Sequence, residues 1–316
     1  MILTLTANPS IDRTVTLTGP LHRGAVHRAA AVSSHPGGKG VNVSRVIAAA
    51  GHATIAVLPG NEGDPLLREL TDAGIAYRAV ATSGSARTNL TVAEVDGTTT
   101  KINEPGTALT AACTEALAES LDSLAAAASW VVLSGSLPPG VPADWYVRLL
   151  RRLPGIPVAV DASDGPLQAL AAEFGSAPPR LLKPNTDELA QITVGNPTDL
   201  EDPIAAAHAA ATLVDRGVGA VLATLGKAGA VLVTDEGAWF AAAPPVTPRS
   251  TVGAGDSSLA GYLLAEFDGA GPAERLRHAV AYGSAAAALP GTGLPGPHDI
   301  DLDAVSVTAL DSLHYS

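Results

Sequence analysis

The chain has 316 residues, of which 47% are hydrophobic, and a formal net charge of −12. This length suits one large domain with an appendage, and the acidic balance argues against nucleic acid or an anionic membrane as a partner. The one cysteine, Cys113, cannot form an internal disulfide, and the first residues have neither the basic region nor the apolar run of a signal peptide. We therefore expect a soluble, cytoplasmic protein that binds neither nucleic acid nor membranes.

Short β-rich apolar segments alternate along the chain with stretches of helical periodicity. The strand-like segments are residues 2–7, 54–59, 129–135, 157–163, 180–185 and 220–226. The helical stretches are residues 64–74, 110–128, 142–153, 164–174 and 202–217. This alternation predicts βαβ units and a mostly parallel sheet with helices on both faces. In such sheets ligands bind at the carboxyl ends of the strands.

Two segments, residues 11–32 and 86–104, interrupt the alternation with polar, β-rich sequence. The second contains Asp96-Gly97 between two strand-like runs, a strong signal for a hairpin. We expect a small antiparallel sheet that forms a lid, a dimer surface or both, because an exposed sheet is otherwise a liability. The α/β body would comprise residues 1–10, 33–85 and 105–316, with a turn-rich surface excursion after Leu289.

A helix with an unusual beginning is predicted in TVGAGDSSLAGYLLAEF, residues 251–267. Gly253 and Gly255 leave backbone N–H groups accessible at the helix N-terminus, where the helix dipole attracts phosphate. Asp256 beside them could accept a proton from an attacking hydroxyl, as an aspartate does in kinases. Alternatively, Asp256 only caps the helix, a position that Asp often occupies.

A second glycine-rich helix start is predicted in HPGGKGVNVSRVIAAAG, residues 35–51. Gly38 allows close approach of a ligand to the backbone. Lys39 stands where the helix dipole disfavours a cation, and this local conflict indicates a ligand. Asn42, one turn further on, could bind sugar hydroxyls. The alternative is an ordinary glycine-rich turn.

Two later stretches suit a nucleotide site. In LLKPNTDEL, residues 181–189, Asn185 and Glu188 have the spacing of a capping box. The alternative is oxygen ligation, direct or through water, of a Mg²⁺ that accompanies phosphates. ATLGKAGAVLV, residues 223–233, predicts a strand, a turn and a second strand. As a hairpin it needs no ligand.

Other polar residues follow predicted strands or lie on the lid. Asp12 follows the first strand, Arg87 and Asn89 belong to the lid sequence ARTN, and SGSLPPG (134–140) offers small hydroxyls. Isolated residues of this kind are usually just solvated. The sequence has no G-x-x-x-x-G-K-[ST] motif and no zinc-binding spacing among its histidines and cysteine.

Taken together and in order, these stretches resemble the ribokinase-like (PfkB) sugar kinases. GGKGVNVSR, KPNTDE, TLGKAG and TVGAGDSSLAGYL are similar to the family's two signatures and the motifs between them. TANPSIDRTV, ARTN, KINEPG and SGSLPPG are similar to the branch of 1-phosphofructokinases, tagatose-6-phosphate kinases and minor-type 6-phosphofructokinases. The resemblance implies a ribokinase-like three-layer α/β/α sandwich with a mostly parallel central sheet and a small antiparallel β lid.

The same resemblance implies an ATP- and Mg²⁺-dependent kinase of a phosphorylated ketohexose. Fructose 1-phosphate is the leading substrate, with tagatose 6-phosphate and fructose 6-phosphate as alternatives. Pairing of the lid with a second subunit would give a homodimer. A non-catalytic sugar or nucleotide sensor on a kinase fold is the alternative of another class, but a binder has no need of Asp256 as a base. A Rossmann oxidoreductase is disfavoured because the dinucleotide fingerprint is missing after the first strand.

The resemblance also implies a role for each motif residue. Asp256 would be the catalytic base, and the anion hole for the transferred phosphoryl group would consist of Gly253, Ala254 and Gly255. The sugar would be held by Asp12, Gly38, Lys39, Asn42, Asn89 and Ser136, with Arg87 and Lys39 at its existing phosphate. The ATP site would include Lys183, Asn185, Thr224, Gly226 and Gly229. Mg²⁺ would be linked to Asn185 and Glu188.

One lid position departs from the branch. Two residues after the Arg-x-Asn of the lid, the branch often has a lysine, where this chain has Thr91. Lys101 on the partner strand could replace the missing charge only if it shared the face of Thr91. A two-residue turn at Asp96-Gly97 would place residue 102 opposite Thr91 and turn Lys101 to the other face. A bulge or a three-residue loop would be needed to place Lys101 on the same face as Thr91.

Overall fold

Strands and helices alternate along most of the chain in the computed structural model, which describes residues 1–193 and 195–310. The strands are β1 Ile2–Thr6, β2 Ser10–Leu17, β3 Ala29–Gly37, β4 Thr54–Pro59, β5 Tyr77–Val80, β6 Arg87–Ala93, β7 Thr99–Asn103, β8 Trp130–Ser134, β9 Val158–Asp161, β10 Leu181–Leu182, β11 Ala220–Thr224, β12 Gly229–Thr234, β13 Gly237–Ala242 and β14 Val307–Ala309. The helices are α1 Lys39–Ala49, α2 Pro65–Asp72, α3 Ala111–Ala125, α4 Trp145–Arg152, α5 Asp164–Ala172, α6 Thr186–Ile192, α7 Pro203–Val214, α8 Ala254–Phe267 and α9 Pro272–Ala288.

A ten-stranded sheet forms the centre of the molecule, in the order β14-β13-β12-β11-β10-β9-β8-β1-β4-β5. Along this order, all neighbouring strands between β11 and β5 pair in parallel. Strands β12, β13 and β14 extend the sheet beyond β11 with antiparallel pairs. Successive residues of β1 point to opposite sides, so Leu3 and Leu5 join one core cluster and Ile2 joins another. Helices α3 to α7 cover the first cluster, and α1, α8 and α9 cover the second. The predicted three-layer sandwich is therefore confirmed.

Helix ends follow local sequence signals. The Asp64 side chain accepts a hydrogen bond from Leu66 N, with Pro65 in the first helical position of α2. Thr110 caps α3 in the same way, through Cys113 N. Helices α1 and α8 each begin after a glycine with a positive φ and have no side-chain cap. Their free N-termini lie at the candidate site described below.

A second, four-stranded sheet, the small sheet, has the order β3-β2-β6-β7. Its two outer pairings are antiparallel, as expected, whereas β2 and β6 in the middle are parallel. Strand β3 continues to Gly37, five residues past the predicted limit at residue 32. We call the face that carries Asp12, Thr14, Arg87, Asn89, Thr91 and Lys101 the inner face. We call the face that carries Val15, Val32, Leu90, Val92 and Ile102 the outer face. Asp12 and Thr14 on the inner face are buried, whereas Val32 and Ile102 on the outer face are exposed.

The β6–β7 hairpin has a three-residue loop. Glu94 and Thr98 form the last pair, with Glu94 N donating to Thr98 O, so the loop consists of Val95, Asp96 and Gly97. Gly97 has a φ of 90°, which suits the left-handed third position of a three-residue hairpin loop. Of the turns considered from the sequence, the three-residue loop is the one present. As a consequence Thr91 lies opposite Lys101, on the same face.

The segment after Leu289 is more than the surface excursion expected from its turns. Thr292 is buried, and Leu294 packs so closely that a Cβ on Gly253 would lie 2.6 Å from its Cδ2. Further on, β14 pairs with β13 and extends the large sheet. Within residues 1–193 and 195–310, no helix is both long and apolar enough to span a bilayer.

Candidate active site

The N-terminus of α8 lies at the centre of the candidate site. Gly253 precedes the helix with a left-handed φ of 76°, and the helix begins at Ala254. Asp256 lies in the first turn but makes no capping hydrogen bond. Instead its Oδ2 accepts a 2.8 Å hydrogen bond from Nδ2 of Asn42 on α1. Capping alone therefore does not account for Asp256.

The Asp256 carboxyl group is buried, with 7% of the residue exposed. Burial, followed by repulsion from the Asp161 carboxylate, raises the pKa of Asp256 to about 6. Lys39 and the Asn42 hydrogen bond act in the opposite direction. A carboxylate whose pKa lies close to neutral is ionised at pH 7 and remains basic enough to accept a proton.

Asp161, at the end of β9, links the site and is absent from the sequence prediction. It is 1% exposed, and its two oxygens lie 2.6 Å from Lys39 Nζ and 2.9 Å from Lys183 Nζ. Although burial opposes its ionisation, Lys183 and Lys39 hold the pKa of Asp161 below its ordinary value. Its position at the carboxyl end of a buried strand was the one signal in the sequence that could have identified it.

Lys39 begins α1 directly after Gly38, whose φ is 105°. Its Nζ contacts Asp161 at 2.6 Å and lies 3.7 Å from Glu188 Oε1. Although burial disfavours the charged form, these two carboxylates raise the pKa of Lys39 above its ordinary value. Buried carboxylates therefore compensate the cation that the helix dipole disfavours.

Lys183 reaches the same place from β10. It is 4% exposed, and a Cβ on Gly255 would lie 3.2 Å from its Nζ. The structure thus brings Lys39, Lys183 and the first turn of α8 together around Asp161. These cations and free helix amides can stabilise a highly charged anion.

Asn185 and Glu188 form a capping box at the start of α6. Asn185 Oδ1 accepts from Glu188 N, and Glu188 Oε2 accepts from Asn185 N. The other Glu188 oxygen faces Lys39. Within the described ranges no group of three or more His, Cys, Asp or Glu side chains could enclose a metal. Glu188 can instead offer one oxygen to a magnesium ion held mainly by phosphates and water, which suits this ion's preferences.

Two predicted sugar-binding residues of the small sheet, Asp12 and Asn89, form one hydrogen-bonded group with Ser10. Asp12 Oδ1 accepts from Ser10 Oγ at 2.7 Å and from Asn89 Nδ2 at 3.0 Å. Gly37 lies against this carboxylate, because a Cβ there would approach Asp12 Oδ2 to 2.3 Å. Arg87 Nη1 donates to Glu104 O at 3.0 Å. Asp12 is thereby fixed on the inner face, next to the glycines that precede α1.

Ser136 lies after β8 and is exposed, and its hydroxyl accepts a hydrogen bond from Asn8 Nδ2 at 3.3 Å. Asn8 follows β1 and also donates to Pro105 O, so it connects three loops at the carboxyl ends of the strands. Like Asp161, Asn8 is a polar residue at a strand end that the sequence prediction omits.

Thr224, Gly226 and Gly229 surround the turn between β11 and β12, which is the predicted hairpin. Thr224 forms an isolated parallel bridge with Asn185. Gly226 faces open space, whereas a Cβ on Gly229 would lie 1.9 Å from Ala241 O. The glycine at position 229 is therefore required by packing against the neighbouring strand.

Comparison with known proteins gives a consistent result. The sequence model of the family described as pfkB family carbohydrate kinase matches residues 5–299. A 1-phosphofructokinase of Xanthomonas campestris pv. campestris is 40% identical over 276 residues, 85% of each chain. That of Rhodobacter capsulatus is 38% identical over 314 residues, covering 97% of this chain and 96% of the relative. The crystal structure of Escherichia coli phosphofructokinase-2 in complex with substrates and products has a TM-score of 0.85 at 33% identity, covering 94% of this chain and 96% of that chain.

The α/β sandwich, the glycine-led helix with its buried carboxylate and these similarities define the class: the protein is a sugar kinase. More narrowly, the chain belongs to the pfkB family of carbohydrate kinases. The resemblance that the motifs indicate is confirmed.

Proposed function

We propose that this protein transfers the terminal phosphoryl group of ATP to fructose 1-phosphate and forms fructose 1,6-bisphosphate. The observation that carries the proposal is the buried Asp256 in the first turn of α8, beside amides that no side chain caps. The substrate follows from the two relatives named 1-phosphofructokinase, which cover most of the chain.

In this proposal Asp256 accepts the proton of the attacking sugar hydroxyl. The amides of Gly253, Ala254 and Gly255 stabilise charge on the transferring phosphoryl group, because the dipole of α8 points its positive end there. Lys183 supports them, since its amino group lies beside Gly255. Catalysis then consists mainly of positioning and charge neutralisation.

The sugar would lie between Asn42 and the inner face of the small sheet. Asp12 and Asn89 would bind its hydroxyl groups, with Gly38 and Ser136 on the other side and Arg87 at its phosphate. We retain residues 11–32 and 86–104 as the lid that excludes water from the reaction. The remaining segments, 1–10, 33–85 and 105–316, would act as the nucleotide-binding and catalytic body.

ATP would bind against Thr224 and Gly226, with Lys183 and Asn185 towards its phosphates. Mg²⁺ would be held by the phosphates, by water and by the Glu188 oxygen that faces Lys39, with Asn185 fixing the orientation of Glu188. The ion would neutralise phosphate charge. We also propose that the protein is cytoplasmic, because its single cysteine cannot form an internal disulfide.

A coupled ADP-release assay tests the function across fructose 1-phosphate, tagatose 6-phosphate, fructose 6-phosphate and unphosphorylated fructose. We expect the highest kcat/KM with fructose 1-phosphate. A preference for tagatose 6-phosphate or fructose 6-phosphate would change the proposed substrate but not the proposed phosphoryl transfer. Turnover of unphosphorylated sugars alone would refute the role of Arg87. Binding without turnover of any of them would favour a sensor.

We also propose a homodimer formed through the outer face of the small sheet. Cross-strand pairs place Val15 beside Val32 and Val92, and Leu90 beside Ile102, so the apolar side chains form a continuous surface. Val32 is 49% and Ile102 58% exposed in the isolated chain. Such an open apolar sheet face is stabilised when a second copy covers it.

A further inference from the structure

We infer that Lys101 supplies the second cation that holds the phosphate of the sugar substrate, in the place of the lysine that this chain lacks at Thr91. The inference rests on the proposed function, because it concerns the substrate end of the same site. Its starting observation is the three-residue loop of the β6–β7 hairpin, which puts Lys101 directly opposite Thr91.

The pairing determines where the amino group can reach. Residues opposite one another in an antiparallel pair have Cβ atoms about 5 Å apart and point to the same face. Lys101 therefore extends from the inner face at the same height as Thr91, one strand further from β2. A lysine at either position would present its charge to the same region of the cleft.

Arg87 lies on the inner face as well, four residues before Thr91 on β6. At about 3.3 Å per residue the two positions are about 13 Å apart along the strand. The long side chains of Arg87 and Lys101 can approach a phosphate between them from opposite ends, above Asn89. Arg87 has a buried Nε without a partner among the described residues, so it retains a donor for such a ligand.

Lys39 is poorly placed to provide the second charge. Its amino group is held by Asp161 at 2.6 Å and by Glu188 at 3.7 Å, beside the first turn of α8. These contacts favour the transferring phosphoryl group over the phosphate already on the sugar. Without another cation Arg87 alone would face a dianion, close to the Asp12 carboxylate of the same face.

Lys101 is available for this role. Its side chain is exposed and makes no hydrogen bond or ion pair within the described part of the chain. It lies on the edge strand β7, so it can move towards a ligand without breaking another contact. A charge-assisted contact to phosphate is among the stronger polar interactions in proteins.

Three variants test the inference through the KM for fructose 1-phosphate. Lys101→Thr should raise this KM about tenfold, with kcat and the KM for ATP little changed. Lys101→Thr combined with Thr91→Lys should restore the KM, because the charge returns to the same face. The matched control, Lys101→Thr with Val95→Lys, keeps the net charge but moves the lysine to the exposed hairpin loop, and it should stay as weak as Lys101→Thr. Thermal unfolding confirms that all variants fold.

An unchanged KM in Lys101→Thr, or full affinity in the control with Lys at position 95, would overturn the inference while leaving the kinase activity in place. Failure of the proposed function gives a different pattern. If the wild-type protein neither binds nor phosphorylates fructose 1-phosphate, tagatose 6-phosphate or fructose 6-phosphate, both proposals fall. If it binds one of them without turnover, calorimetric Kd values of the same variants decide the role of Lys101.

Discussion

The side-chain amide of Asn42 donates a 2.8 Å hydrogen bond to the Asp256 carboxylate and joins the first turns of α1 and α8. Both helices begin after a glycine with a left-handed φ, and both residues are buried. Arg45 Nη1 lies 3.4 Å from Asn42 Oδ1, which favours the orientation that directs the Asn42 NH₂ group at Asp256. The proposed base is therefore held in place by the helix that also carries Lys39.

Asp256→Asn should abolish the base without weakening the fold. Asn retains an oxygen that can accept the Asn42 hydrogen bond, but it cannot take a proton, so kcat should fall at least ~100-fold. The folded-state pKa of about 6 lies above the ordinary 3.8, so ionisation of Asp256 opposes folding as pH rises through about 6. At pH 8 the variant should therefore melt at the same temperature as the wild type or higher. If the variant retains activity in the ADP-release assay, Asp256 is not the catalytic base and has only a structural role.

The pH dependence of kcat/KM should show an acidic limb near the pKa of Asp256. The base works only when ionised, so kcat/KM should fall as the pH decreases through about 6. Asn42→Leu removes a hydrogen bond that lowers this pKa, so the limb should move to higher pH. The shift would distinguish a direct effect on the base from a simple loss of sugar contacts, which would lower the whole profile without moving its midpoint.

The sequence predicts the layers of this fold well, because they depend on local periodicity. The segments at residues 54–59 and 129–135 form buried strands, and the stretch at 110–128 forms an amphipathic helix almost as predicted. Strand β10 is shorter than its predicted segment, 180–185, because Pro184 cannot continue the ladder. Short edge strands such as β5 and β14 carry too little pattern to be predicted.

The rest of the site depends on contacts between distant segments. Asp161 looks like any isolated acid in the sequence, and only the fold places Lys39 and Lys183 against it. The partner of Lys101 depends on a single extra loop residue, Val95, which shifts the pairing of β7 with β6 by one residue. Asp-Gly suits both two-residue and three-residue loops, so the dipeptide does not settle the register by itself.

Asp161→Asn should destabilise the protein strongly, because it leaves the buried Lys183 and the half-buried Lys39 without their shared carboxylate. Removing one partner of a buried ion pair costs about 3 kcal/mol or more. The matched control is Asp144→Asn, which removes the exposed partner of Arg148 and should cost about 0.5 kcal/mol or less. Urea unfolding of both variants measures the difference. Equal losses would show that the Asp161 contacts contribute little to stability.

The two glycines of the β11–β12 turn should respond differently to alanine. In Gly229→Ala the new Cβ would overlap Ala241 O at a φ of 119°, so we expect a loss of about 2 kcal/mol or more. In Gly226→Ala the Cβ would face open space at a φ of 57°, and the cost should be about 1 kcal/mol. If Gly226 borders ATP as proposed, its variant should raise the KM for ATP. Denaturant unfolding and ATP titrations separate the two effects, and equal unfolding midpoints would contradict the packing argument.

The outer face of the small sheet should control the oligomeric state. Ile102→Asp places a charge on the β7 side of the apolar surface, where burial against a second copy would be costly. We expect light scattering to show a particle of 31.6 kDa for this variant and of twice that mass for the wild type. Thr99→Asp is the control, because it adds the same charge to an exposed position of β7 on the opposite face. A wild-type monomer, or a dimer that persists in Ile102→Asp, would show that this face is not the subunit interface.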